Sequence, residues 1–217
     1  MTTSSILRVT EIFHSIQGES TYAGRPCVFV RLTGCPLRCT WCDTAYAFYG
    51  GSEMTIHEVI TKVRAYGCGL VEVTGGEPLH QPATLTLVKQ LCAEQFEVLI
   101  ETSGAIDIAP VDDRAHVILD VKCPGSGMTD RMLWPNLKLV TRKDEVKFVI
   151  KDRADYDWAC DIVRQYDLAA RCSVLFSPVF GELDPRQLAE WVLADRVNVR
   201  FQLQMHKLIW SPDMHGV

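Results

Sequence analysis

The order of apolar and polar positions divides the chain into short apolar runs and helical periods, most of them alternating. Residues 26–33 form a run of β-branched and aromatic side chains stopped by Gly34, which predicts a buried strand. Arg31 lies inside that run, and a charge on a buried strand is either paired or faces a ligand. Thr55-Ile56-His57-Glu58 has the form of a capping box, with Ile56, Val59, Ile60 and Val63 following at helical spacing and Gly67 closing the turn. Further strands are predicted at 70–74, 98–102, 117–122, 146–150, 173–177 and 200–204, with helices over 82–94 and 156–168. Asp184-Pro185 places an N-cap and a first-turn proline at the start of another helix. Polar groups and Gly18 interrupt 11–20, which reads as a loop after a short strand.

Strands separated by helices imply parallel pairing in βα units, and near-continuous apolar runs imply strands covered on both faces. The fold class expected is α/β, a parallel barrel or an open sheet, in a single domain over 1–217 with no linker or repeat. Polar motifs fall at predicted strand C-terminal ends: Thr74-Gly75-Gly76-Glu77-Pro78, Thr102-Ser103-Gly104, Lys122, Ser177 and His206. In both architectures that edge is where ligands bind.

Composition narrows the class. Across 217 residues, 47% hydrophobic and 23% charged content describe an ordinary globular protein, and the net charge of −5 disfavours a nucleic-acid groove. No run reaches the about 18 apolar residues of a membrane span. Residues 1–6 lack the charged and apolar regions of a signal peptide. Nine cysteines, an odd number, point to a reducing cytoplasm. Cys27, Cys68, Cys92, Cys123, Cys160 and Cys172 have no mutual metal-like spacing and read as small buried hydrophobes.

The remaining three cysteines are different. Cys35, Cys39 and Cys42, at C-x3-C-x2-C directly after the first buried run, can converge on one metal centre. A closed zinc site wants four protein ligands, which a distant His14 or His57 could complete. Three ligands on a four-iron cluster would instead leave one iron open. Both options stand on the cysteines alone. Gly75-Gly76 is compatible with a plain turn or with close approach of backbone to a ligand.

Taken together, the cysteine loop followed by the Gly75-Gly76-Glu77-Pro78 edge resembles the radical S-adenosylmethionine (radical SAM) superfamily. Ile16-Gln17-Gly18-Glu19, Phe29-Val30-Arg31, Cys42-Asp43-Thr44 and Gln204-Met205-His206-Lys207 extend the resemblance, over nearly the whole chain, to the 7-carboxy-7-deazaguanine synthase family. The resemblance implies a partial (βα)6 barrel, an incomplete TIM-like barrel with shortened helices. It implies a carbon–nitrogen lyase of queuosine biosynthesis that converts 6-carboxy-5,6,7,8-tetrahydropterin to 7-carboxy-7-deazaguanine. Hydrogen abstraction at C6 by a deoxyadenosyl radical, ring contraction and ammonia loss would make up the reaction, with SAM regenerated.

Carried over residue by residue, Cys35, Cys39 and Cys42 would hold a [4Fe-4S] cluster. Ile16, Gln17, Gly18, Glu19, Arg31, Thr74 and His206 would contact the pterin, with Arg31 on its carboxylate and Arg31 and Glu19 the catalytic candidates. Trp41, Cys42, Asp43, Gly76, Ser103, Asp120, Val121, Lys122 and Ser177 would contact SAM, and Thr44 would hold Mg2+. Asp120-Val121-Lys122 stands where Ser-Pro-Lys is common in the family, so the lysine carries over best. A flavodoxin or ferredoxin-type electron donor and a homodimer are further implications. Two rivals remain at this point: an activating enzyme for a glycyl-radical protein, which shares the cysteine spacing, and a non-catalytic zinc or electron-transfer module.

Overall fold

The computed structural model describes residues 6–217; the N-terminal segment read for a signal peptide otherwise lies outside the described residues. Among the described residues nine strands form one sheet: β1 (Ile6–Ile16), β2 (Pro26–Leu32), β3 (Ser52–Thr55), β4 (Leu70–Gly75), β5 (Glu97–Thr102), β6 (His116–Val121), β7 (Glu145–Ile150), β8 (Ser173–Pro178) and β9 (Arg200–Phe201). Their order is β3-β1-β2-β4-β5-β6-β7-β8-β9, antiparallel across β3-β1-β2 and parallel from β2 onward. The ends do not pair with each other, so the parallel strands form an open, partial barrel.

Helices α1 (Ile56–Ala65), α2 (Ala83–Ala93), α3 (Arg153–Gln165), α4 (Leu168–Arg171), α5 (Pro185–Asp195) and α6 (His206–Ile209) accompany them. The capping box forms as predicted, with Thr55 Oγ1 accepting from Glu58 N and Glu58 Oε2 accepting from Thr55 N. The β5–β6 and β6–β7 connections contain no α-helix. Pro110, Pro124, Gly125, Gly127 and Pro135 fall in them, and only short 3-10 turns form in the second.

Three boundaries differ from expectation. β1 is an eleven-residue strand, not a short one, because both edges pair: Ile6 to Val9 with β3 and Val9 to Ile16 with β2. Its polar residues fall on both sides of the strand, with a register irregularity between Val9 and Glu11, and the loop begins only at Gln17. The helix expected over 156–168 starts earlier, where the Asp152 carboxylate caps Asp155 N, and ends at Gln165; Asp167 at φ 51° separates α4 from it. β9 has two residues because the chain leaves the sheet to cover the loop after β1, where Gln202 Oε1 accepts from Ser20 N at 2.8 Å and Met205 N donates to Gly18 O at 2.9 Å.

The two faces of the sheet have different chemistry. On the outer face Val71, Val73, Val98, Ile100, Val117, Leu119, Val121, Val146, Phe148, Val174 and Phe176 pack under the helices in one large core. The inner face is layered. Its floor is a small apolar cluster of Phe13, Phe29, Leu70, Leu99 and Ile118, with the two phenyl rings stacked at 4.9 Å. Two residues further along, the same strands present Glu72, Glu101 and Asp120, joined by Lys147 of β7. A further step of two brings Thr74, Ser103 and Lys122. Period two therefore raises a charged layer and then a binding layer above an apolar plug.

Candidate active site

A cavity of about 620 Å³ opens at the C-terminal edge of the parallel strands, in the size range of ligand pockets. Cys35, Cys39 and Cys42 line one wall, together with Trp41, Asp43, Thr44 and Gly76. Gly18, Glu19, Arg31, Thr74, Ser103, Asp120, Lys122 and His206 line the rest, with Ile16 and Gln17 beside them.

The cysteine loop is held from three sides. Gly34, at φ 99°, donates its N–H to Ala47 O at 2.8 Å and accepts from Glu77 N at 2.8 Å. Thr40 N donates to Ser126 O at 3.2 Å and Thr40 Oγ1 to Gly125 O at 3.0 Å, tying the loop to the segment after β6. A Cβ on Gly76 would overlap the Gly34 carbonyl and lie 2.8 Å from Cys35 Cβ, so this glycine is required by close backbone approach. None of the three thiols is in a disulfide, and burial pushes all three up, Cys39 to about 11. Three free thiols on one wall of one cavity fit the three-thiolate donor set of a four-iron cluster with one open iron.

Glu77 has a structural task. Fully buried, it accepts from Thr102 Oγ1 at 2.9 Å, Ser103 N at 2.7 Å, Leu79 N at 2.9 Å and the Ser103 hydroxyl, locking the β4 and β5 ends together. Asp120 pairs with Lys122 at 2.8 Å, yet its Oδ1 is buried without a partner, a free acceptor on the proposed SAM side.

The residues expected to contact the pterin converge as well. Glu19 accepts from Gln204 Nε2 at 2.9 Å and from Lys147 Nζ at 2.8 Å. Burial alone would raise its carboxyl, but Lys147, His206 and these hydrogen bonds hold it below the ordinary range. Burial moves His206 down. A Cβ on Gly18 would strike the His206 ring and backbone, so the loop after β1 and the start of α6 are in van der Waals contact. Arg31 is both paired and facing the cavity: Nε donates to Glu11 Oε1 at 2.7 Å, between the rings of Phe13 and Tyr46. Thr44 Oγ1 donates to Asp43 Oδ1 at 2.9 Å, and Asp43 Oδ2 takes the Lys207 ammonium at 2.6 Å. Burial would raise the Asp43 carboxyl, but Lys207, the Thr44 hydroxyl and Lys147 together hold it well below the usual range. Residues 212–217 cover one side of the cavity, His215 stacking on Tyr46 at 3.8 Å.

Two expected SAM contacts fall elsewhere. Val121 points into the outer core, because period two puts it on the face opposite Asp120 and Lys122. Ser177 is fully buried on the inner side of β8 and does not line the cavity, its hydroxyl without a partner among the described residues. Conversely, Glu72 and Lys147 line the cavity without having been singled out from the sequence, and Gln204 and Lys207, read there only as part of the C-terminal motif, line it too. For Glu72 and Lys147 the available signal was a charge in the middle of an apolar strand, the same signal that marks Arg31.

Comparison with known proteins fits this geometry. Residues 29–192 match the Radical SAM superfamily, which defines the chain as a radical SAM enzyme with a [4Fe-4S] cluster and SAM as cofactors. The 7-carboxy-7-deazaguanine synthase of Chlorobaculum tepidum is 47% identical over 220 residues, covering 100% of both chains; that of Koribacter versatilis is 46% identical over 97% of this chain and 100% of its own. The crystal structure of QueE from Escherichia coli superposes with a TM-score of 0.78 at 22% identity, covering 94% of this chain and 96% of that one. This chain belongs to the 7-carboxy-7-deazaguanine synthase family. The glycyl-radical-activating and zinc-module alternatives are set aside.

Proposed function

We propose that this site converts 6-carboxy-5,6,7,8-tetrahydropterin to 7-carboxy-7-deazaguanine with release of ammonia, in the pathway to queuosine-type 7-deazapurines. The observation that carries the reading is one cavity shared by three free cysteines and by Gly18, Glu19, Arg31, Thr74 and His206. When bound, the cluster supplies the electron that cleaves SAM to the deoxyadenosyl radical; the protein supplies placement and water exclusion.

Cys35, Cys39 and Cys42 hold the cluster in this reading. Gly76, Ser103, Asp120 and Lys122 hold SAM, joined by Trp41, Cys42 and Asp43; Val121 contributes through its main chain at most. The guanidinium of Arg31 takes the substrate carboxylate, for which its terminal nitrogens suit a forked contact. Glu19 and the backbone of Ile16, Gln17 and Gly18 take the amide and amino edge of the pterin, and Thr74 and His206 bound its flanks. The Thr44 hydroxyl, which here donates to Asp43, would hold Mg2+, a hard cation that prefers oxygen donors and would help place the substrate.

An external one-electron donor of the flavodoxin or ferredoxin type, a homodimer and a cytoplasmic setting complete the proposal. Among the described residues no helix is long and apolar enough to cross a membrane. Anaerobically reconstituted protein given SAM, Mg2+, reductant and carboxytetrahydropterin should form the deazaguanine carboxylate and ammonia in equal amounts. Cleavage of SAM with no deazaguanine product would overturn the substrate assignment.

A further inference from the structure

The inner face of the barrel carries a buried ammonium that no step of the proposed reaction uses. Lys147 Nζ, with 5% of its side chain exposed, is 2.8 Å from Glu19 Oε2, 3.4 Å from Asp120 Oδ2 and in contact with Glu101 Oε1. These carboxylates come from the loop after β1, from β6 and from β5, so one side chain joins three walls of the cavity. An ammonium has three protons and here meets three acceptors, so it has none left for a ligand. Burial opposes its charge, but the surrounding carboxylates outweigh burial and hold the pKa well above the ordinary lysine value. A saturated, permanently charged group is suited to positioning and not to proton transfer.

What it positions is specific. Glu19 stands on the pterin side and Asp120 on the SAM side, where Lys122 also binds it at 2.8 Å. Gln204 holds the second oxygen of Glu19, so the carboxylate is fixed at both ends. We infer that Lys147 is a positioning residue that clamps Glu19 to the Asp120–Lys122 pair, setting the distance between pterin and SAM and keeping SAM cleavage tied to product formation. This rests on the assignment of Glu19 to the pterin.

The test compares wild type with K147M and K147R, each checked for iron and sulfide content and thermal midpoint. Without reductant, equilibrium titration should show pterin binding weakened by about 3- to 30-fold in K147M, the range typical of residues that modulate coupling without touching a ligand, and SAM binding weakened less. With reductant, product formation should fall on the order of 100-fold, the cost of a misplacement near 1 Å. Deoxyadenosine should meanwhile accumulate, its extra hydrogen drawn from protein or buffer. K147R, a cation of different shape, should fall between. An unchanged ratio of deoxyadenosine to product with unchanged pterin affinity would overturn the inference. So would equal weakening of both ligands alongside a lowered midpoint, since that is a purely structural role. If K147M does not load a cluster, the double variant K147Q/E101Q removes the ammonium with one carboxylate it neutralises and carries the same comparison. Failure of wild type to bind the pterin would instead overturn the substrate assignment.

Discussion

Arg31 and Glu11 are cross-strand partners in the β1–β2 register, and the Arg31 Nε donates to Glu11 Oε1 at 2.7 Å beside the cavity. The pairing is anchored just past an irregularity between Val9 and Glu11, where the register shifts and Thr10 instead meets Thr33 through their hydroxyls at 2.7 Å. Glu11 thus fixes the Nε side of the guanidinium of an arginine that lines the cavity. Arg31→Ala should cost about 2–4 kcal/mol of substrate binding, roughly 30- to 1,000-fold in KM. Steady-state kinetics at saturating SAM checks this, and an unchanged KM would remove the carboxylate contact.

Cluster loading depends on the close contact between Gly76 and the cysteine loop. Gly76→Ala should displace Gly34 and Cys35 and lower the iron and sulfide recovered after anaerobic reconstitution, while Cys39→Ser should abolish a stable four-iron cluster. Iron and sulfide analysis with the visible spectrum decides both. Full loading of Gly76→Ala would show that the loop can yield.

Glu72 gives a pH-dependent prediction for stability. Burial, and then the Glu101 charge, raise its folded pKa well above 4.5, so the folded chain keeps a proton that the unfolded chain releases. Wild type therefore loses stability as pH climbs above about 4.5, until the folded carboxyl also ionises. Glu72→Gln is free of that loss and keeps an acceptor for Gln17. Its melting midpoint should match wild type near pH 4 and exceed it at pH 8 by about 2–4 °C, the shift made by about 1 kcal/mol in a chain of this size.

Thr44 tests the second metal. Thr44→Val removes the hydroxyl with little change of shape and should raise the Mg2+ concentration for half-maximal activity by about tenfold, the cost of roughly 1.4 kcal/mol, with cluster content unchanged. A Mg2+ titration that superposes on wild type would move the metal elsewhere.

Far from the cavity, Thr55→Ala removes one half of the capping box of α1 and should cost about 0.5–2 kcal/mol without changing KM. Thermal melts and kinetics on the same preparation separate the two effects.

The chain's local chemistry determined a great deal by itself. Parallel βα order, the capping box at Thr55, the N-cap at Asp184 and the placement of polar motifs at strand ends all follow from period, propensity and turn residues, which act within a few positions. The three cysteines and Gly75-Gly76 were legible for the same reason, since each motif is contiguous. Only the tertiary structure decided which way a side chain faces and which distant residues meet. Val121 falls on the outer face although its neighbours Asp120 and Lys122 line the cavity. Glu77 proves to be a buried lock on Ser103. β1 becomes long because two partner strands satisfy its backbone. Lys147, Gln204 and Lys207 reach the site across 128, 185 and 164 positions from Glu19, Glu19 and Asp43. Contacts at that separation exist only once the sheet curls, because barrel curvature is a property of the packed strands together and no single segment encodes it.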